Sequence, residues 1–139
     1  MKPVLRNKDQ GSAFIRYKKS FFHAIDGFIY ALKNEHNMII IVICAVLAIC
    51  AGFTFKITSF EWLFLILVIG LVMASEMINT AIEAVVDLET SEIHPLAKIA
   101  KDSASTATLI FSIVAFLGAL IMFVPKLIDY LYGIEIFKI

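Results

Sequence analysis

Phe60-Glu-Trp-Leu-Phe-Leu-Ile-Leu-Val-Ile-Gly-Leu-Val-Met-Ala-Ser-Glu76-Met-Ile-Asn79-Thr-Ala-Ile-Glu83-Ala-Val-Val-Asp87 is the stretch that decides the reading of this chain. It is long and apolar enough to cross a bilayer, yet its second half carries Asn79 and the acids Glu76, Glu83 and Asp87. An ionisable group inside a membrane span costs a few kcal/mol and marks a functional site by default. At ~100° per residue, Glu76 and Glu83 fall within about 20° of each other, and Asp87 lies on the same stripe. Asn79, three residues after Glu76, is its neighbour on the helix surface. One face of a membrane helix carries the polar groups, and its other faces are Leu, Ile, Val and Ala.

The rest of the chain agrees with a membrane protein. Its 139 residues are 60% hydrophobic and 17% charged, with zero formal net charge, against ~45–50% apolar in a soluble domain. Three spans are expected, at about 38–55, 60–86 and 96–124, the last ended by Pro125-Lys126. Each reaches the ~20 residues that a helix needs to cross the hydrocarbon core. The apolar runs are continuous rather than alternating, which favours helices over barrel strands. The fold class is therefore all-α integral membrane. Upstream, Phe14, Phe21, Ile25, Phe28 and Leu32 recur at helical steps with basic residues between them, the pattern of an amphipathic surface helix. Residues 1–12 read as a disordered arm, 13–125 as the membrane domain and 126–139 as an interfacial tail. The first apolar run starts too late for a cleaved secretory leader. Cys44 and Cys50 lie on opposite sides of one helix and act as small hydrophobes.

Orientation follows from the basic residues near the span ends. Lys2, Arg6, Lys8, Arg16, Lys18, Lys19 and Lys33 precede the first span, and Lys98 and Lys101 follow the second. These place the N-terminus and the 87–101 connection in the cytoplasm. Glu35, Glu83, Asp87, Lys101 and Asp102 then share the cytoplasmic face, with Glu76 about two turns deeper.

That collection suits phosphoryl transfer. Glu35 and Glu83 are candidate Mg²⁺ ligands, because hard divalent ions take carboxylates together with substrate phosphates. Lys101 is a compact cation for a phosphate, and Asp102 is a further partner or orients it. Ser105 and Thr108 add hydroxyls on the same helical face. Glu76 is placed to serve as general base toward a lipid hydroxyl. Asp87, Glu89 and Glu92 read as a solvated acidic run. No phosphate-binding glycine loop, dinucleotide fingerprint or zinc spacing is present. Nothing resembles a nucleic-acid module, and the basic arm suits anionic lipid. A competing reading is a small oligomeric channel or proton-coupled carrier with Glu76 and Glu83 on its path. Against it, the polar residues crowd one half of the spans instead of crossing the bilayer.

The run Glu76-Met-Ile-Asn79-Thr-Ala-Ile-Glu83-Ala-Val-Val-Asp87, followed by Ala97-Lys-Ile-Ala-Lys101-Asp102-Ser-Ala-Ser105, resembles the signature of the prokaryotic diacylglycerol kinase and undecaprenol kinase family. The resemblance covers about residues 14–124. It implies a homotrimer of three-span subunits in the bacterial cell membrane, using Mg-ATP to phosphorylate a lipid alcohol. It implies Glu76 as proton acceptor and Glu35 and Glu83 as metal carboxylates. Arg16, His23, Glu35, Glu83, Glu92, Ile93, His94, Lys101 and Asp102 would meet the nucleotide. Glu76, Asn79 and Ser105 would lie beside the lipid. Where many relatives carry Arg-Ile-His after the first-span Glu-x-Asn, this chain has Met38-Ile39-Ile40-Ile41.

Overall fold

A computed structural model describes residues 13–89, 92 and 94–133. The expected arm 1–12 and the tail beyond Gly133 lie outside the described residues. Four helices follow one another: α1 (Ala13–Asn34), α2 (His36–Thr54), α3 (Ser59–Glu89) and α4 (Pro95–Tyr132). No strand occurs among the described residues. The last three are long and apolar enough to cross a membrane. At 1.5 Å per residue, α3 is about 46 Å long and α4 about 57 Å, so both exceed the ~30 Å hydrocarbon core.

The connections are short and locally encoded. A single residue, Glu35, separates α1 from α2. Its N–H closes α1 on Ala31 O at 2.8 Å, while its extended backbone (φ −108°, ψ 114°) starts α2. At the far end of α2, Ile57 N–H reaches Gly52 O (3.1 Å) and Lys56 N–H reaches Phe53 O (3.3 Å). This paired 6→1 and 5→2 closure normally places glycine at the left-handed position. Lys56 occupies it here, with φ +49°. Gly52 serves the same turn differently. A Cβ there would lie 2.9 Å from Trp62 and 3.0 Å from Ile57, so its bare backbone is the seat on which those side chains pack.

Thr58 and Glu61 then start α3 as a reciprocal cap. Glu61 N–H donates to Thr58 Oγ1, and Thr58 N–H donates to Glu61 Oε2 at 2.7 Å. The other Glu61 oxygen meets Lys126 Nζ of α4 at 3.0 Å. At the opposite end, His94 caps α4 by accepting the Leu96 N–H, with Pro95 in the first helical position.

α3 and α4 form the principal contact of the bundle. Gly118 allows it, since a Cβ there would stand 2.7 Å from the Phe64 ring. Ile57, Leu65 and Met122 make a small core near this end, with Phe55, Trp62 and Phe123 against it. Most other large apolar side chains, Leu47, Ile66 and Phe116 among them, point outward. In water such a surface would aggregate; in a bilayer it meets hydrocarbon or another subunit.

One expectation about helix ends needs correcting. α4 does not stop at Pro125 but runs through it to Tyr132, ending on Gly133 in the left-handed conformation (φ 61°, ψ 23°). Proline removes one hydrogen bond, which a long apolar helix tolerates when the flanking turns are complete. The Glu61–Lys126 pair fastens the chain just past it.

Candidate functional site

The buried face of α3 changes character along its length. Leu65, Val68 and Val72 come first, then Ser75, Glu76, Asn79 and Thr80. The same helical stripe is therefore hydrocarbon at one end and polar at the other. The polar end is covered by α4, which buries Ala104 and Thr108, and by the α1–α2 corner, where Ala31 and Met38 are fully buried. Met77 of α3 lies beneath α1, its Cε 3.9 Å from where a Cβ on Gly27 would stand.

Glu76 is the centre of this end and is 0% exposed. The side chains of Asn37 and Thr108 approach its carboxylate, and Glu35 and Glu83 act on it electrostatically. Neither of its oxygens has a hydrogen-bond partner within 3.5 Å among the described residues. The Asn79 carbonyl oxygen and the Thr80 and Thr108 hydroxyls are equally buried and bare. A buried carboxylate without partners costs several kcal/mol. Three more bare polar atoms beside it describe a site shaped for something polar. Ser75 alone among these side chains satisfies itself, donating to Val72 O at 2.8 Å.

One turn outward, Asn79 Nδ2 donates to Glu83 Oε1 at 3.1 Å. Lys101 of α4 pairs with Asp87 across the helix interface, and Glu83 lies near enough to act on the same ammonium. Lys101 and Asp102, adjacent in sequence, part company: Asp102 is held by Lys98 on the exposed side of α4. Asp87, expected in a solvated run, is thus an interhelical partner.

The remaining candidates are more scattered. Ser105 is exposed, whereas Thr108 on the next turn is buried. Arg16 and His23 are exposed on α1, His23 facing Asp26 of its own helix at 4.0 Å. The structure brings neither into hydrogen-bond or ionic contact with the carboxylates. Glu92 is exposed in the α3–α4 connection, His94 is the α4 cap, and Ile93 lies outside the described residues. Asn37 was not singled out from sequence. Its only signal is its place two residues after Glu35, on the first turn of a span.

No ready-made cage of three or more His, Cys, Asp or Glu side chains occurs among the described residues. Glu35 and Glu83, on two elements that converge at Glu76, are instead a sparse carboxylate pair. That suits Mg²⁺, which is held by one or two carboxylates while phosphate oxygens and water complete its shell.

The chain is 37% identical over 121 residues to the undecaprenol kinase of Bacillus subtilis (strain 168), covering 87% of this chain and 98% of that one. It is 40% identical over 101 residues to a diacylglycerol kinase of Helicobacter pylori (strain J99), covering 73% and 79%. It is 36% identical over 104 residues to the diacylglycerol kinase of Escherichia coli (strain K12), covering 75% and 85%. The family described as prokaryotic diacylglycerol kinase matches residues 22–123, which takes in the α1–α2 corner, all of α3 and the first three-quarters of α4. The chain belongs to the prokaryotic diacylglycerol kinase family.

Proposed function

We propose that this membrane lipid kinase transfers the γ-phosphoryl group of Mg-ATP to the hydroxyl of a lipid alcohol, at the cytoplasmic ends of α3 and α4. The observation that carries the reading is the buried Glu76 carboxylate, which has no hydrogen-bond partner within 3.5 Å among the described residues, is approached by the Asn37 and Thr108 side chains, and feels the charges of Glu35 and Glu83. An ionised carboxylate in that position can accept a proton from a bound alcohol. It lies about 10 Å along the helix from Glu83, deep enough to meet an alcohol at the bilayer interface. Thr80 and Thr108 stand beside it as hydroxyls able to orient that alcohol.

Glu35 and Glu83 would hold the metal, and Lys101 would take a phosphate oxygen. Bound there, Mg²⁺ supplies charge neutralisation for the transferring phosphoryl group. Asn79 fixes the Glu83 carboxylate by donating its amide N–H to Oε1. Met38, Ala31 and the α4 face exclude water from the base. Arg16, His23, Glu92, Ile93, His94 and Asp102 would complete the nucleotide site, and Asn79 and Ser105 the lipid side. The family resemblance implies a homotrimer, and the exposed apolar surfaces of α2, α3 and α4 leave faces on which subunits could meet. The basic residues around α1 and the α3–α4 connection support a cytoplasmic N-terminus, with α1 lying on the membrane surface. A carrier reading is disfavoured because the buried stripe turns to Leu65, Val68 and Val72, with no polar continuation toward the other side.

Undecaprenol is the first lipid to test, because the undecaprenol kinase relative is matched over 98% of its length. The experiment is transfer of label from ATP by the purified protein, with undecaprenol and diacylglycerol offered in turn. Incorporation into one of them supports the reading. No incorporation into either, by protein that inserts and folds normally, overturns it.

A further inference from the structure

Glu83, Asp87, Lys98, Lys101 and Asp102 are among the charged side chains at the rim where α3 ends and α4 begins. They sort in a specific way. Lys98 and Asp102 pair along the exposed side of α4. Lys101 crosses to α3, and of the two carboxylates on the facing stripe it takes the outer one, with Nζ 2.5 Å from Asp87 Oδ1. The inner one, Glu83, is four residues back on the same helix, about 6 Å along its axis. It already acts on Lys101 electrostatically. Its own bond goes to the neutral Asn79 amide instead.

We propose that Asp87 is a positioning residue, holding the Lys101 ammonium at the rim and off Glu83. Lys101 is thereby kept for phosphate and Glu83 for the metal. This rests on the reading of Lys101 and Glu83 given above. The physical case begins with the lysine itself, a point charge on a flexible four-carbon stem. Without Asp87, Glu83 is the carboxylate whose charge already acts on it. An ammonium seated there would compete with a divalent cation for the same oxygens. Asp87 therefore acts on the metal carboxylate through a third residue, without touching it.

A purely structural role for the pair is the alternative, and its setting argues against it. The side chains are 65% and 36% exposed, and ion pairs so placed contribute little to stability. The joining of α3 to α4 rests elsewhere, on Phe64 against Gly118, on Leu65 with Met122, and on the Glu61–Lys126 bridge. The lysine retains two further N–H donors while bonded to Asp87, so holding it does not prevent it from binding phosphate.

The test is binding, separate from turnover. Full-length protein in lipid nanodiscs is titrated with a non-hydrolysable ATP analogue at a series of Mg²⁺ concentrations, by calorimetry. Asp87→Asn is expected to raise the Mg²⁺ needed for half-maximal binding by about 5- to 10-fold, the scale of a coupled pair. Asp87→Glu should restore most of it. In a Lys101→Ala background, Asp87→Asn should produce no further shift in the Mg²⁺ requirement, because no ammonium is left to fall onto Glu83. An unchanged Mg²⁺ requirement in Asp87→Asn overturns the positioning role, as does an equal shift with and without Lys101. Thermal unfolding without nucleotide is recorded for each variant, and a shift explained by loss of folded protein also overturns it. If Lys101→Ala binds the analogue like the wild type, the phosphate assignment itself fails, a result distinct from failure of Asp87 alone.

Discussion

Asn79 Nδ2 donates to Glu83 Oε1 at 3.1 Å, while the carbonyl oxygen of the same amide is buried with no partner. One side chain thus orients a carboxylate and presents an empty acceptor beside Glu76. Asn79→Ala removes both functions. A hydrogen bond to a charged group contributes about 1.5–3 kcal/mol, so kcat/KM is expected to fall by at least about 10-fold. Asn79→Asp should be worse than alanine, since it sets a like charge against Glu83. Steady-state kinetics of the two variants side by side checks the order.

Glu76→Gln keeps the shape of the buried side chain and removes its basicity. Lipid phosphorylation is expected to drop by at least ~10²-fold, the scale of general-base removal. Binding of the Mg-nucleotide should be nearly unchanged. In the wild type the rate should fall as pH is lowered, because the base works only when ionised. Residual turnover in Glu76→Gln should lack that acid limb. A variant that loses nucleotide binding but retains its rate would move Glu76 to the metal.

Glu83→Gln separates the proposed metal carboxylates from the proposed base. Turnover should be nearly abolished at ordinary Mg²⁺, while the protein still inserts and assembles. Glu35→Gln should be milder, raising the Mg²⁺ requirement and weakening nucleotide binding. Activity measured across a Mg²⁺ series distinguishes the two, and a fully active Glu83→Gln contradicts the assignment.

Gly118→Ala tests the packing that positions the site. The added Cβ would meet the Phe64 ring at 2.7 Å, and overpacking of this kind costs about 1–3 kcal/mol. The variant should unfold at lower temperature or denaturant. Phe64→Leu in the same chain should recover part of the loss by clearing the ring. If Gly118→Ala alone is as stable as the wild type, Phe64 moves aside freely and the contact does not hold α3 to α4.

The sequence is most legible where a single period governs the outcome. Unbroken apolar runs of span length have one low-energy state in a bilayer, so the three long helices follow directly from them. The same 3.6-residue period places Glu76, Asn79 and Glu83 on one face. It does not say which neighbour Asn79 chooses, and it chooses Glu83 rather than Glu76. The Asp87–Lys101 pair is less visible, because its members are 14 positions apart and meet only once the α3–α4 connection has closed. Lys101 and Asp102 look like a unit in sequence, yet successive residues on a helix diverge by ~100°. Helix ends are the least legible. Pro125 looks like a stop and is not one, and Lys56 fills a position where glycine would be expected.

The single residue between α1 and α2 makes α1 a lever. Arg16 lies about 28 Å up that helix from Glu35, and His23 about 18 Å. A rotation of about 10° in the Glu35 backbone would swing Arg16 through about 5 Å and His23 through about 3 Å, with α2 left in place. Glu35 is thus both the pivot of that motion and a proposed metal carboxylate, so a ligand that grips its side chain would also set the reach of Arg16 and His23.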